Sequence, residues 1–78
     1  MDNQAKIVEI ISRVTGKPVD IDPEVSLFDS GILDSFALTD VIAELEKEFS
    51  IKVPDADLTP RKFNSVSRMV RYVESHVY

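Results

Sequence analysis

Residues 31–49 read Gly31-Ile32-Leu33-Asp34-Ser35-Phe36-Ala37-Leu38-Thr39-Asp40-Val41-Ile42-Ala43-Glu44-Leu45-Glu46-Lys47-Glu48-Phe49. Leu38, Val41, Ile42, Leu45 and Phe49 recur at the three-and-four spacing of one helix face. Asp40, Glu44, Glu46, Lys47 and Glu48 lie mostly off that stripe. The pattern predicts a helix over 35–49. Asp34 suits its N-cap, because a short carboxylate can take up a free N–H of the first turn, and this puts Ser35 in that turn.

Working outward, residues 17–33 cannot be regular. Pro18 and Pro23 break helix and strand alike, and Asp29-Ser30-Gly31 is a turn signal. Val25, Leu27, Phe28, Ile32 and Leu33 are nevertheless too apolar for a solvated linker. The reading is a long connection that folds back and plugs the core; a loop of that length in a small domain is usually functional or disordered, and its apolar content argues for the former. Before it, Ile7, Ile10, Ile11 and Val14 mark one face of a helix over 3–15, with Asp2 or Asn3 as its cap. Gly16 and Pro18 end it. After residue 49, Ile51, Val53 and Pro54 form a short apolar link. Thr59 then caps a short helix that starts at Pro60 and runs through about Phe63. Ser65 caps a last helix over about 66–77, with Val66, Met69, Val70, Val73 and Val77 on one face. No convincing strand, repeat or second domain emerges. The expectation is an all-α fold over 1–78 as one domain: a small four-helix bundle of three main helices and one short one, with a long first loop.

Composition narrows the chemistry. A chain of 78 residues has no room for a core plus a deep walled site, and it buries only roughly 60–65% of its unfolded surface. Without Cys there is no disulfide framework, thiolate metal site or thiol nucleophile, and His76 is the single imidazole. The formal charge of -5 is unevenly spread, because residues 20–48 hold nine of the 14 acids and only Lys47 as a base. That acidic middle argues against nucleic acid and anionic membrane and suits a partner with a basic docking patch. It equally suits a small domain kept soluble by its acids. No apolar run approaches the roughly 20 residues of a membrane span, and the N-terminus lacks the basic start of a signal peptide, so a cytoplasmic address is expected.

The sharpest local feature is Ser35 at the opening of an acidic helix, straight after a turn. A phosphate ester there would meet free backbone N–H groups and the positive helix end, opposed by the neighbouring acids. Asp34 and Ser35 also read as plain capping residues. A calcium loop beginning Asp20-Ile21-Asp22-Pro23-Glu24 fails at its sixth position, Val25, and its twelfth, Gly31. A serine hydrolase finds no base, orienting acid or oxyanion hole.

Asp34-Ser35-Phe36 is similar to the Asp-Ser-Leu attachment motif of the acyl carrier and peptidyl carrier proteins, and the similarity extends over nearly the whole chain. Leu27-Phe28-Asp29-Ser30-Gly31-Ile32-Leu33 resembles the family's apolar loop with its turn glycine. Residues 41–49 resemble its acidic recognition helix, Ile51-Lys52-Val53-Pro54-Asp55 the stretch after it, and Phe63-Asn64-Ser65-Val66 the junction of the last two helices. Asp-Ser alone is common at helix starts. Motif, loop, helix and tail at these spacings carry the resemblance together.

The resemblance implies that a phosphopantetheinyl transferase attaches 4'-phosphopantetheine to Ser35 as a phosphodiester, with Asp34 helping to position the serine. It implies a loading ligase, a downstream acyltransferase or synthase, and a non-catalytic carrier; monomer is the default, because the acidic helix must face successive partners. A chain without Cys cannot form a thioester itself, so the thiol must come with the arm. By the same resemblance Phe36, Asp40, Ala43 and Glu46 are docking positions, and the acids among them read equally as a solvated face. Ala37 and Lys47 stand where fatty-acid carriers are often acidic. Phe36 is similar to the residue in some free-standing aminoacyl carriers, including D-alanyl carriers, and also reads as a plain apolar contact beside the arm. Together these point away from bulk fatty-acid synthesis. Phe28, Leu45, Val53, Leu58, Phe63, Val66 and Met69 are read mainly as core, in which bulky Phe63 and Met69 leave little shelter for a long acyl chain. The competing reading is a carrier-like interaction module that is never modified.

Overall fold

The computed structural model describes residues 3–20 and 22–76. Helix α1 spans Asn3–Thr15, α2 Ser35–Phe49, α3 Pro60–Phe63 and α4 Val66–His76, with a 3-10 turn at Asp55–Asp57 between α2 and α3. No strand occurs among the described residues. The bundle is therefore the predicted all-α one, and the 3-10 turn is an addition too short to leave a periodic signal.

The apolar stripes meet as their spacing requires. Ile7, Ile10 and Ile11 of α1 are buried against Leu38, Val41, Ile42 and Leu45 of α2 and Val66, Met69 and Val73 of α4. Val14, Phe49 and Val70 end up half-buried at the edges of their stripes. Lys6 pairs with Glu48 at 3.5 Å and Arg13 with Glu44 at 3.4 Å, so α1 and α2 run antiparallel. Both pairs are exposed and contribute little to stability.

The helix ends explain where the elements stop. Gly16 takes a φ of 69° and its N–H donates to Ser12 O at 2.9 Å, closing α1 as a C-cap glycine should. Asn3 is the first residue of α1, not its cap, and donates Nδ2–H to Glu74 at 3.2 Å. Asp2, the other cap candidate, and Val77 lie outside the described residues. Ser65 caps α4 as expected, its Oγ accepting the Arg68 N–H at 3.2 Å. Thr59 occupies the N-cap position before Pro60, but its hydroxyl makes no capping bond; its carbonyl instead accepts the Lys62 N–H at 3.1 Å. α2 ends on a non-glycine, Ser50, at φ 56°.

Leu27 organises the long loop. Its side chain is fully buried, its N–H donates to Asn64 O at 2.6 Å, and its carbonyl accepts the N–H groups of Ile32 and Leu33 at 3.0 and 3.1 Å. The Ser67 N–H adds a second tie at 3.0 Å to Pro23 O. The loop thus plugs the core and anchors on the α3–α4 junction. Val25 departs from the expectation: a turn closed by its N–H on Asp22 O, at 3.0 Å, leaves its side chain 43% exposed. The Asp22 carboxylate in the same turn accepts the Glu24 N–H at 2.8 Å, and no cluster of metal-ligating side chains forms among the described residues.

One tie crosses from α2 to the link that follows it. The Val53 N–H donates to Glu46 Oε2 at 2.8 Å, while Glu46 O accepts the Ile51 N–H at 3.2 Å. Glu46 therefore fixes the path of the chain after α2 through both its backbone and its side chain. Glu46→Ala is expected to strand the part-buried Val53 N–H and cost about 1–3 kcal/mol, whereas Glu46→Gln keeps an acceptor and costs less. Urea unfolding of both variants at neutral pH tests this, and equal losses would refute the tether.

Candidate functional site

The candidate site is the turn at the head of α2. Gly31, at φ 83°, has nothing within 4 Å of where a Cβ would stand, so it is glycine for its backbone and not for lack of space. The Gly31 N–H donates to Phe28 O at 3.1 Å, and Lys17 Nζ donates to Gly31 O at 2.9 Å. Leu33, buried, pins the chain to the core just before Asp34. These contacts hold the approach to the helix from both sides.

Asp34 has extended backbone (φ -129°) and caps α2, its Oδ1 accepting the Ala37 N–H at 2.8 Å. The first intrahelical bond runs from the Leu38 N–H to Asp34 O at 2.9 Å. Ser35 and Phe36, as the first two helical residues, keep N–H groups without an intrahelical acceptor. Ser35 is exposed, and its hydroxyl takes no partner among the described residues. The result is a free hydroxyl beside free donors at the positive end of a 15-residue helix. This surface suits an attached phosphodiester: one added negative charge has N–H groups to meet it, and the serine is open to solvent.

Phe36 is 87% exposed, the largest exposure of any bulky apolar side chain among the described residues. It packs on almost nothing in the bundle. Asp40 and Ala43 are exposed on the same helix. Glu46 is only half-buried, and one of its oxygens is held by Val53. Asp40 makes no ion pair among the described residues, so it is the freer of the two acids. Glu44 and Glu48 are partly neutralised by Arg13 and Lys6 of α1, which sequence reasoning did not foresee. Their signal was present only as basic residues on the neighbouring helix, whose facing depends on the packing.

Away from the turn, Tyr72 donates its hydroxyl proton to Asp57 at 2.7 Å and Lys62 pairs with the same carboxylate at 3.3 Å. Burial, then the Asp57 carboxylate, pushes the Tyr72 phenol up to about 12. The Tyr72 hydrogen bond, with help from Lys62, holds Asp57 below its ordinary value against the opposing effect of burial. The signs follow. A raised phenol stabilises the fold at and below pH 10 and loses that contribution as pH rises towards 12. A lowered carboxyl stabilises it above the ordinary Asp value and loses its contribution as acid protonates it. The stability advantage of wild type over Tyr72→Phe is therefore expected to be largest near neutrality and to shrink at both ends. Urea midpoints of the pair across pH measure it, and a pH-independent difference would refute it.

The phosphopantetheine attachment site family matches residues 5–73. The D-alanyl carrier protein of Leuconostoc mesenteroides is 31% identical over 75 residues, covering 96% of this chain and 96% of that protein. The D-alanyl carrier protein 1 of Lactiplantibacillus plantarum is 31% identical over 74 residues, covering 95% and 92%. The D-alanyl carrier protein of Streptococcus pyogenes is 34% identical over 74 residues, covering 95% and 94%. Such a match implies 4'-phosphopantetheine as the prosthetic group. An all-helical bundle with an open serine at the head of its longest helix, matched over nearly its whole length, belongs to the phosphopantetheine attachment family of small carrier proteins.

Proposed function

We propose that Ser35 is the attachment residue and that the chain, as a single carrier domain over 1–78, holds D-alanine or a similarly small aminoacyl cargo. The observation that carries this is the free Ser35 hydroxyl beside the unpaired N–H groups of the first turn of α2. The arm supplies a terminal thiol on which cargo is held as a thioester. Ser35 fixes the arm through its oxygen, and the head of α2 offsets the charge of the phosphodiester. Asp34 holds the helix start in shape and presents the serine to the transferase. The length of the tether raises the effective concentration of cargo at each partner.

The small-cargo part rests on the relatives' names and on the core. Phe63 and Met69 are both fully buried. They occupy the interior that a long acyl chain would need, so cargo stays outside the bundle. Phe36 and Asp40 offer one apolar and one acidic contact to a transferase, a loading ligase and a downstream acyltransferase in turn. The chain does no chemistry of its own: His76 is stacked on Tyr72 at 4.2 Å, and its Nδ1 lies 2.8 Å from Tyr72 O. No described helix is long and apolar enough to cross a membrane. We assign the protein to the cytoplasm as a monomer, since one acidic helix must face successive partners.

The test is loading. The chain is incubated with coenzyme A and a broad-specificity transferase, then with ATP and a ligase that charges D-alanyl carriers, and intact mass is followed. One phosphopantetheine followed by one D-alanyl group supports the full reading. An arm without loading would overturn the cargo, and no arm on a folded protein would make the chain an unmodified interaction module.

A further inference from the structure

The acidic side of this chain has an opposite. Lys62, Arg68, Arg71, Tyr72 and Ser75 line an open groove of about 260 Å³ between α3 and α4. Arg68, Arg71, Tyr72 and Ser75 follow the spacing of one helix face, and Lys62 reaches the groove from α3. The groove is below the usual size of a pocket that encloses a drug-sized ligand, so it suits a small group bound at the surface.

The charges there are poorly compensated. Among the described residues, Asp57 is the one carboxylate hydrogen-bonded or ion-paired to the lining, and it is shared between Lys62 and the Tyr72 hydroxyl, with the charge of Glu46 also felt at Tyr72. Among the described residues the Arg68 guanidinium has only a 3.4 Å hydrogen bond to the Arg61 carbonyl. Arg71 has no hydrogen-bond or ion-pair partner among the described residues. Two arginines three residues apart on one helix face repel each other. A bridging anion would relieve that repulsion. The guanidinium fork matches the oxygens of a phosphoryl group in particular, because it offers paired N–H donors.

We propose that this groove is a binding site for a phosphoryl anion, separate from the Ser35 turn. The ligand is a phosphate-bearing group, either free in solution or at the head of an anionic lipid. Arg68 and Arg71 supply the donors, and Lys62 closes the groove from α3. The carrier then has two faces of opposite sign, an acidic α2 for basic partner surfaces and a basic α4 face for phosphoryl groups.

The test is a titration of the full-length, unmodified chain with inorganic pyrophosphate at low ionic strength. Amide and arginine side-chain resonances are read, beside sodium chloride at matched ionic strength. Shifts are expected to concentrate on residues 62 and 68–75. Affinity should fall about tenfold or more in Arg68→Gln/Arg71→Gln, and by less in Arg71→Gln alone. Lys47→Gln/Lys52→Gln removes two cations elsewhere and should leave affinity unchanged. Co-sedimentation with phosphatidylglycerol vesicles, against phosphatidylcholine, separates the sources. Loss of vesicle binding in the arginine variant assigns a lipid headgroup, and pyrophosphate binding without vesicle binding assigns a free ligand. Shifts scattered over all basic residues, equal losses in both double variants, or binding to neither probe would overturn the proposal. Circular dichroism of each variant establishes that it is folded.

Discussion

Ser35→Ala is expected to fold like wild type and to gain no mass with coenzyme A and transferase. The two halves of that statement have different physical grounds. Folding is indifferent because the side chain is exposed, its hydroxyl has no partner among the described residues, and Asp34 does the capping. Alanine is also a strong helix former, so the change should lie within about 0.5 kcal/mol. Modification should be lost outright because, in the proposed function, the Ser35 hydroxyl oxygen is the nucleophile. The Ser35 oxygen would bond to the phosphorus of the phosphopantetheine as the pyrophosphate linkage of coenzyme A breaks, with adenosine 3',5'-bisphosphate as the leaving group and the hydroxyl proton passing to a base of the transferase. No neighbour replaces that oxygen. Thr39, the nearest other hydroxyl in the sequence, donates its proton to Ser35 O at 3.2 Å, and Ser30, the nearest other serine, donates its proton to Leu27 O at 3.0 Å within the loop turn. A mass gain persisting in Ser35→Ala would move the site, and Ser30→Ala would then be the next variant. Asp34→Asn separates capping from positioning. Asparagine still caps, so stability should hold, whereas the charge proposed to present Ser35 to the transferase is gone and modification should slow.

What could be read in advance divides along physical lines. The main helices were legible because burial imposes a period, and Ile7, Ile10, Ile11, Leu38, Val41, Ile42 and Leu45 obey it. The Asp34 cap was legible because capping is a local interaction between residues three apart. The loop was legible only as a plug. Its apolar residues had no period to sort them, so Leu27 went inside and Val25 outside through a turn that depends on Asp22 and on the tie from Ser67 to Pro23. The Glu46–Val53 bond was hidden because it depends on the path of the link after α2, and that path leaves through a left-handed Ser50 where a glycine would have announced it. At the candidate site, the resemblance named the residues. Their exposure, the free N–H groups and the isolation of Phe36 are products of the fold. The basic groove lay in the sequence as Arg68 and Arg71, but its lining also needs Lys62 from another helix.

Phe63→Ala is expected to be the most damaging single truncation. Phe63 is fully buried, the bulkiest residue with no exposure, and it closes a helix of four residues that could not persist alone. Its ring lies 4.7 Å from that of Tyr72 at 54°, joining α3 to α4. Removing a buried phenyl costs about 3–5 kcal/mol through lost transfer energy and the cavity left behind. A domain of 78 residues has a total of roughly 4–12 kcal/mol to lose. The variant should therefore melt on the order of 12–40 °C lower, and it should be largely unfolded if wild type sits at the bottom of that range. Phe63→Leu keeps much of the volume and should cost less than half as much. Thermal melts of the three proteins decide the matter, and a loss of only a few degrees in Phe63→Ala would refute the anchoring role. The effect should also reach Ser35. Asn64, next in the chain, accepts the Leu27 N–H at 2.6 Å, and Leu27 in turn holds Ile32 and Leu33 ahead of the α2 cap. Loosening α3 frees that loop, so Phe63→Leu, still folded, should accept its arm more slowly than wild type. An unchanged rate in the folded variant would mean that the serine turn is held by Asp34 and Leu33 alone.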